Sequence, residues 1–391
     1  MEKKVYLDNA ATTFVSGEVL NEMMPCFNAI YGNPNSLHSF GRDAAAIVDR
    51  ARDRVQKAIG AKSATEIYFT SGGTEADNWA IKGIAKAYAN KGKHIIVSQI
   101  EHHAILSSCE ELEKEGFEVS YVKVDKYGIV SIADIIDKIR PDTTLISVMA
   151  VNNEVGTIQN LLAIAKTAHE HGIIFHTDAV QAIGALKINV QDMEIDAMSM
   201  SAHKIYGPKG CGALYVRNGV RIQNFMDGGS QERGKRGGTL NVPSIAGFGK
   251  AIEIATRDFA INQKKIKSIR EYFLSKVTER IPYIRVNGHP YQKVQGILNI
   301  SFEMIEGESI LMLLDLDGIA VSTGSACTSN SLEPSHVLRA MGIEDEVAQG
   351  SIRFSFGKNT SKSDIDYVVD KLEVAVAKLR AISPITKAGR K

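Results

Sequence analysis

The 391-residue chain is 44% hydrophobic and 23% charged, an ordinary balance for a globular protein with room for one large or two smaller domains. A formal net charge of +1 gives no electrostatic basis for binding nucleic acid or an anionic membrane surface. The opening "MEKKVYLDNAATT" has charge without an apolar run behind it, and no window approaches the ~20 apolar residues of a membrane span. A cytoplasmic protein is therefore expected.

From about residue 60 to 220, short β-rich runs alternate with helical segments. The runs are "EIYF" (66–69), "HIIVS" (94–98), "VSYVKV" (119–124), "TLISVMAV" (144–151), "IIFHTDA" (173–179) and "AMSMSA" (197–202). Between them, "SIADIIDKIR" opens on Ser131 as N-cap, and "NLLAIAKTAHEHG" (160–172) closes on Gly172. Apolar strands alternating with helices predict an α/β fold, a mainly parallel sheet flanked by helices. One long helix is expected over 243–281, starting at Pro243 and bridging to a smaller α+β domain. The expected division is a large domain of 16–260 and a small one made of 1–15 and 261–391.

Ligands of such sheets bind beyond the carboxyl ends of the strands, and four segments fall there. In "EIYFTSGGTEADNWAIKG" a strand runs through Gly72, Gly73 and Thr74 into a helix whose N-terminus suits an anion. A plain capped turn is the bland alternative. In "FHTDAVQ", Asp178 closes an apolar strand and needs a cationic partner, with Gln181 three residues on. In "SMSAHKIYGPKGCGAL", Ser201, His203 and Lys204 stand at a further strand end. "SQIEHHAILSS" places His102 and His103 after a strand, and at most one of them is expected to be functional. An anion cradle, a buried carboxylate, a lysine and a histidine together suit pyridoxal 5'-phosphate, which takes a lysine on its aldehyde carbon and a carboxylate on its ring nitrogen.

The four cysteines, Cys26, Cys109, Cys211 and Cys327, are widely spaced, without a C-x-x-C pair. No metal site and no disulfide framework is expected. Three of them read as packed thiols. Cys327, in "STGSACTSNS", sits among side chains too small and polar to bury it, so it is either a chance surface thiol or a reactive sulfur on a movable loop.

The ordered blocks "YLDNAATT", "YGNPNSLHSFGR", "TSGGTEADN", "VNNEVG", "HTDAVQ", "SAHKIYGPKG", "RGGTLNV", "STGSACTS" and "SIRFSFGK" span nearly the whole chain. In them the sequence resembles the cysteine desulfurases of the NifS/IscS group, pyridoxal-phosphate enzymes of fold type I within the class V aminotransferases. The resemblance implies conversion of L-cysteine to L-alanine, with sulfur passed as a persulfide to Cys327. From there it goes to an iron–sulfur scaffold or another acceptor protein. It further implies that Lys204 binds the cofactor and moves the Cα proton, and that His102 stacks on the ring. Asp178 would pair with the ring nitrogen, and Gln181 and Asn153 with the phenolic oxygen. Gly73, Thr74, Ser201 and His203 would hold the phosphate, joined by Thr239 from across a homodimer. Arg353 would bind the substrate carboxylate, a task suited to guanidinium geometry, with Asn153 and Asn33 nearby. A selenocysteine lyase or an aminotransferase of the same family is the alternative. A non-enzymatic metal or sulfur carrier would leave Asp178 and Lys204 without a task.

Overall fold

The structure, a computed structural model, describes residues 3–323 and 334–384. A two-residue strand β1 (Val5–Tyr6) precedes helices α1 (Gly17–Met23), α2 (Pro25–Asn28) and α3 (Ser39–Ile59). Alternation then runs through β2 (Ile67–Thr70), α4 (Gly73–Tyr88), β3 (His94–Ser98), α5 (His103–Lys114), β4 (Glu118–Val122) and α6 (Ile132–Lys138). It continues with β5 (Thr143–Ser147), α7 (Leu161–Glu170), β6 (Ile174–Asp178), β7 (Ala197–Ser201) and β8 (Gly212–Val216). The remaining elements start with α8 (Val242–Arg257), α9 (Phe259–Arg280), β9 (Ile284–Asn287), β10 (Ile297–Phe302) and α10 (Gly307–Leu316). They end with β11 (Ile319–Ala320), β12 (Ser322–Thr323), α11 (His336–Ala340), α12 (Asp345–Gln349), β13 (Ser351–Ser355) and α13 (Lys362–Ile382).

The seven-stranded sheet has the order β2-β8-β7-β6-β5-β3-β4. Its pairs are parallel from β7 to β4, and β8 runs antiparallel to both neighbours. Strands β3, β5, β7 and β8 are buried along their whole length, which is why they read as unbroken apolar runs. Local chemistry sets the helix starts: Ser131 Oγ accepts from Asp134 N at 3.2 Å as expected, and Asn160 Oδ1 accepts from Ala163 N at 3.3 Å. The expected run 144–151 is regular strand only to Ser147, although Val148 N and Ala150 N still bond the β6 carbonyls of His176 (3.2 Å) and Asp178 (2.8 Å).

A second sheet, β12-β13-β10-β9, is antiparallel, and β1 pairs with β11 beside it. Its core gathers Phe273, Phe302, Phe354, Leu298, Ile310 and Val368 with Leu7 from the N-terminal segment. The long helix expected over 243–281 is two helices broken at Asp258 (φ −96°, ψ 7°). Asp258 turns its carboxylate onto the Arg257 guanidinium (2.7 and 2.9 Å) at the break. The break lets α8 pack on α1 and α3 while α9 packs on α13.

Candidate active site

The carboxyl ends of β2, β6 and β7 open onto one place, and the sequence there explains the approach. A side chain at Gly73 would stand 2.7 Å from Val180 Cγ2 and 3.7 Å from Ser201 Cβ, so only glycine brings α4 this close to the strand ends. Gly73 starts a 16-residue helix, and Ser201 Oγ lies buried beside it with no hydrogen-bond partner among the described residues. A buried hydroxyl left without a partner beside a helix N-terminus is a site for an oxyanion. Glu75, in the first turn, is bound by Arg236 at 2.8 and 3.1 Å and by Ser71 N at 2.9 Å. Its charge is thereby answered and does not repel an anion.

The N-terminal segment wraps the lysine end of the site. Lys204 Nζ donates to the carbonyls of Ala10 (2.6 Å) and Ala11 (2.7 Å), and Gln181 Nε2 also donates to Ala10 (2.8 Å). His203 Nδ1 meets Thr12 Oγ1 at 3.1 Å, and burial pushes the ring down to a pKa of about 4. Tyr206, two residues beyond Lys204, holds φ at 65° because Thr13 Oγ1 and Ser16 N bind its backbone. That strain is held by tertiary contacts at the reactive end of the site.

Asp178, 6% exposed, takes a hydrogen bond from Val180 N at 2.8 Å. Burial pushes its carboxyl above the usual range, while Val180 N and the Lys204 charge act against that rise. His102 caps α5, its Nδ1 accepting from Ala104 N at 3.1 Å, which leaves the ring proton on Nε2. Burial first, then the Lys204 charge, lowers its pKa to about 4, so the ring is neutral at neutral pH.

Arg353 enters from β13, its side chain 6% exposed. Nη1 donates to the carbonyl of Asn153 (3.0 Å) and Nη2 to Asp8 Oδ1 (3.0 Å). Its Nε is buried without a partner among the described residues. Two sites expected from the sequence stand apart. Asn33 is exposed in a turn, bonding Asn35 N through its own Oδ1 at 3.0 Å, and Thr239 lies exposed on the segment after Arg236. Thr74 is at the rim of the cradle, with its carbonyl taken by Asn78 Nδ2 at 2.9 Å. Cys327 lies outside the described residues; Cys26, Cys109 and Cys211 are buried. Among the described residues no group of side chains forms a metal site, and no helix is long and apolar enough to cross a membrane.

The sequence reading missed four groups the fold brings in: Asp8, the ion partner of Arg353, and the buried acids Asp77, Glu101 and Glu154. Asp8, Asp77 and Glu154 lie within quoted motifs and Glu101 directly before His102, yet nothing local distinguishes them from surface acids.

An anion cradle with an unfilled buried hydroxyl, a buried carboxylate and a lysine at neighbouring strand ends fit pyridoxal phosphate in their chemistry. The fold is that of the fold-type I pyridoxal-phosphate enzymes. Within that class the chain belongs to the aminotransferase class-V family, whose profile matches residues 5–368. It is 50% identical to cysteine desulfurase IscS of Dictyoglomus turgidum over 384 residues, covering 98% of this chain and 97% of that one. Cysteine desulfurase of Homo sapiens is 44% identical over 386 residues, 98% of this chain and 84% of its own. A solved NifS-like protein superposes with a TM-score of 0.91 at 38% identity, over 96% of this chain and 100% of that one. SspA, solved in complex with cysteine, gives a TM-score of 0.81 at 36% identity, over 92% and 100% of the two chains.

Proposed function

We propose that the protein is a pyridoxal-phosphate-dependent cysteine desulfurase, turning L-cysteine into L-alanine and passing the sulfur through Cys327 to an acceptor protein. The observation that carries the reading is the meeting of Lys204, Asp178, Ser201 and Gly73 at adjacent strand ends. Sequence relatives named cysteine desulfurase and a NifS-like structural neighbour support it.

Pyridoxal phosphate, when bound, supplies an electron sink for breaking the Cα–H bond and then the Cβ–S bond of the substrate. Ser201 Oγ, His203, Thr74 and the Gly73 N–H hold its phosphate, and Asp178 faces its ring nitrogen. Gln181 and Asn153 serve the phenolic oxygen, while the neutral His102 ring covers the ring face. Lys204 Nζ carries the cofactor and then takes the Cα proton. Both carbonyls that hold Nζ accept only, so they orient the amine without donating a proton to it. Arg353 binds the substrate carboxylate with the guanidinium hydrogens that Asn153 and Asp8 leave over. The Cys327 thiolate attacks the substrate sulfur; the S–S bond forms, the Cβ–S bond breaks, and its electron pair stays on the carbon side.

Two further parts belong to this reading. The first is a division into 16–260 and 1–15 with 261–391, supported by the break at Asp258 and by β1 pairing with β11. The second is a homodimer in which Thr239 reaches the other subunit's phosphate. An apolar stretch at the surface supports the dimer: Phe14, Met24, Phe27, Tyr31, Leu37 and Phe40 are all exposed, Leu37 to 91%. Lys204→Ala is the decisive test. It should form no L-alanine from L-cysteine, and alanine formation at the wild-type rate would remove Lys204 from the mechanism.

A further inference from the structure

Three carboxyl groups are buried where α4 crosses the strand ends: Asp77 (2% exposed), Glu101 (0%) and Asp178 (6%). Asp178 stands opposite Ser199 in the β6–β7 register, and the Ser199 hydroxyl acts against the rise of the Asp77 carboxyl. Ser199 Oγ continues to His176 Nε2 (3.0 Å), whose Nδ1 meets Ser147 Oγ (2.8 Å). Glu101 Oε1 accepts from Ser98 Oγ (2.5 Å) and Met149 N (2.8 Å). Asp77 and Glu101 thus share one pattern. Each keeps one oxygen, Asp77 Oδ1 and Glu101 Oε2, buried with no partner among the described residues.

Neither acid has an ion partner among the described residues. The titratable groups facing them are few. Burial keeps Cys109 on α5 a thiol and His176 on β6 a neutral ring, and His102 is neutral as well. His336 on α11 meets the Glu101 carbonyl through Nε2 at 3.0 Å, and burial lowers its pKa. The cation acting on this cluster is Lys204, and it acts on Asp178. Three charges in so small a buried volume against one amine would repel each other and pay the full desolvation cost. Asp178 alone has both a backbone N–H and the Lys204 charge to support it. Burial and the neighbouring carboxylates push Asp77 well up, and burial pushes Glu101 up to about 8.

We infer that Asp77 and Glu101 are proton-bearing, uncharged acids at neutral pH, positioning residues that leave Asp178 as the single carboxylate charge presented to the ligand. The inference rests on the proposed role of Asp178 at the ring nitrogen. Two neutral neighbours keep the local field from being over-negative, so that one carboxylate meets one cationic nitrogen and the phosphate end is not repelled. A carboxylic acid kept neutral by an apolar site is a known device of enzyme sites.

Infrared difference spectroscopy of the holoenzyme near neutral pH tests this directly. Asp77→Asn and Glu101→Gln should each remove one protonated-carboxyl C=O band while the protein retains its cofactor. Asp178→Asn should leave both bands and release cofactor. If Asp77→Asn fails to fold, the pH series decides: the band that Glu101→Gln lacks should disappear from the wild type at about pH 8, separately from the Glu154 band, which goes at about pH 7 and is identified by Glu154→Gln. No protonated-carboxyl band in the wild type at pH 6, or no band lost in either variant, overturns the inference. Retention of cofactor by Asp178→Asn with the bands intact would instead strike at the proposed role of Asp178.

Discussion

Glu232→Ala should be among the most damaging single changes outside the reacting groups. The Glu232 carboxylate has 0% of its side chain exposed and takes three donors: Arg52 Nη1 (2.8 Å), Arg52 Nη2 (2.7 Å) and Phe69 N (3.0 Å). Arg52, itself buried, keeps only the Ile67 carbonyl (2.7 Å) and the Phe69 ring face (4.7 Å) once the carboxylate is gone. Breaking a buried pair by removing one member leaves an uncompensated charge, at a cost of about 3–5 kcal/mol. The same pair pins a strained turn, with φ of 43° at Glu232 and 58° at Arg233. The chain leaving that turn delivers Arg236 to Glu75 at the anion cradle. Loss of stability should therefore come with faster cofactor release. Urea unfolding of the holoenzyme gives the first quantity and absorbance of released cofactor the second. Replacing both partners, Arg52→Met with Glu232→Leu, should recover most of the stability because no buried charge is left alone. A loss below about 1 kcal/mol for Glu232→Ala, with unchanged cofactor release, would refute the argument.

Asp178→Ala should weaken cofactor retention and lower turnover by at least tenfold, whereas Asp192→Ala, at an exposed position, should change neither; equal losses would refute the Asp178 assignment. His176 is buried and its pKa lies near 3 rather than 6.5, so the unfolded chain takes up a proton first as pH falls. Stability from this group is whole above pH 6.5 and drains away towards pH 3. Between pH 7 and 5 the wild type should lose ~2 kcal/mol more than His176→Asn in urea titrations, and parallel losses would contradict this. Cys327→Ser should keep the cofactor and still bind L-cysteine, because no cofactor-binding motif includes this residue. It should then yield no persulfide in a single turnover, since a hydroxyl is a far weaker nucleophile than a thiolate; wild-type persulfide yield would eliminate Cys327 as the sulfur carrier.

Much of the site is legible along the chain because its parts are strand ends and helix starts. Asp178, Ser201 and Lys204 each close an apolar run, and Gly73 opens a helix, so residue order and hydrophobic period alone bring them to one edge of one sheet. The mainly parallel sheet follows from the same alternation. What depended on tertiary structure is which charges find each other. Asp8 meets Arg353 across 345 residues, Arg52 meets Glu232 across 180, and Arg236 meets Glu75 across 161. Nothing in the local sequence separates these from solvated surface charges. Asp77 sits in a helix amid ordinary polar residues, and only the packing of α4 against β6 and β7 turns it into a buried acid. The break at Asp258 has the same origin, because a helix continued straight could not serve both the core under α3 and the core under α13. Apolar periodicity is a property of neighbours in sequence, whereas the charge state of an acid depends on what lies beside it in space and how little water reaches it.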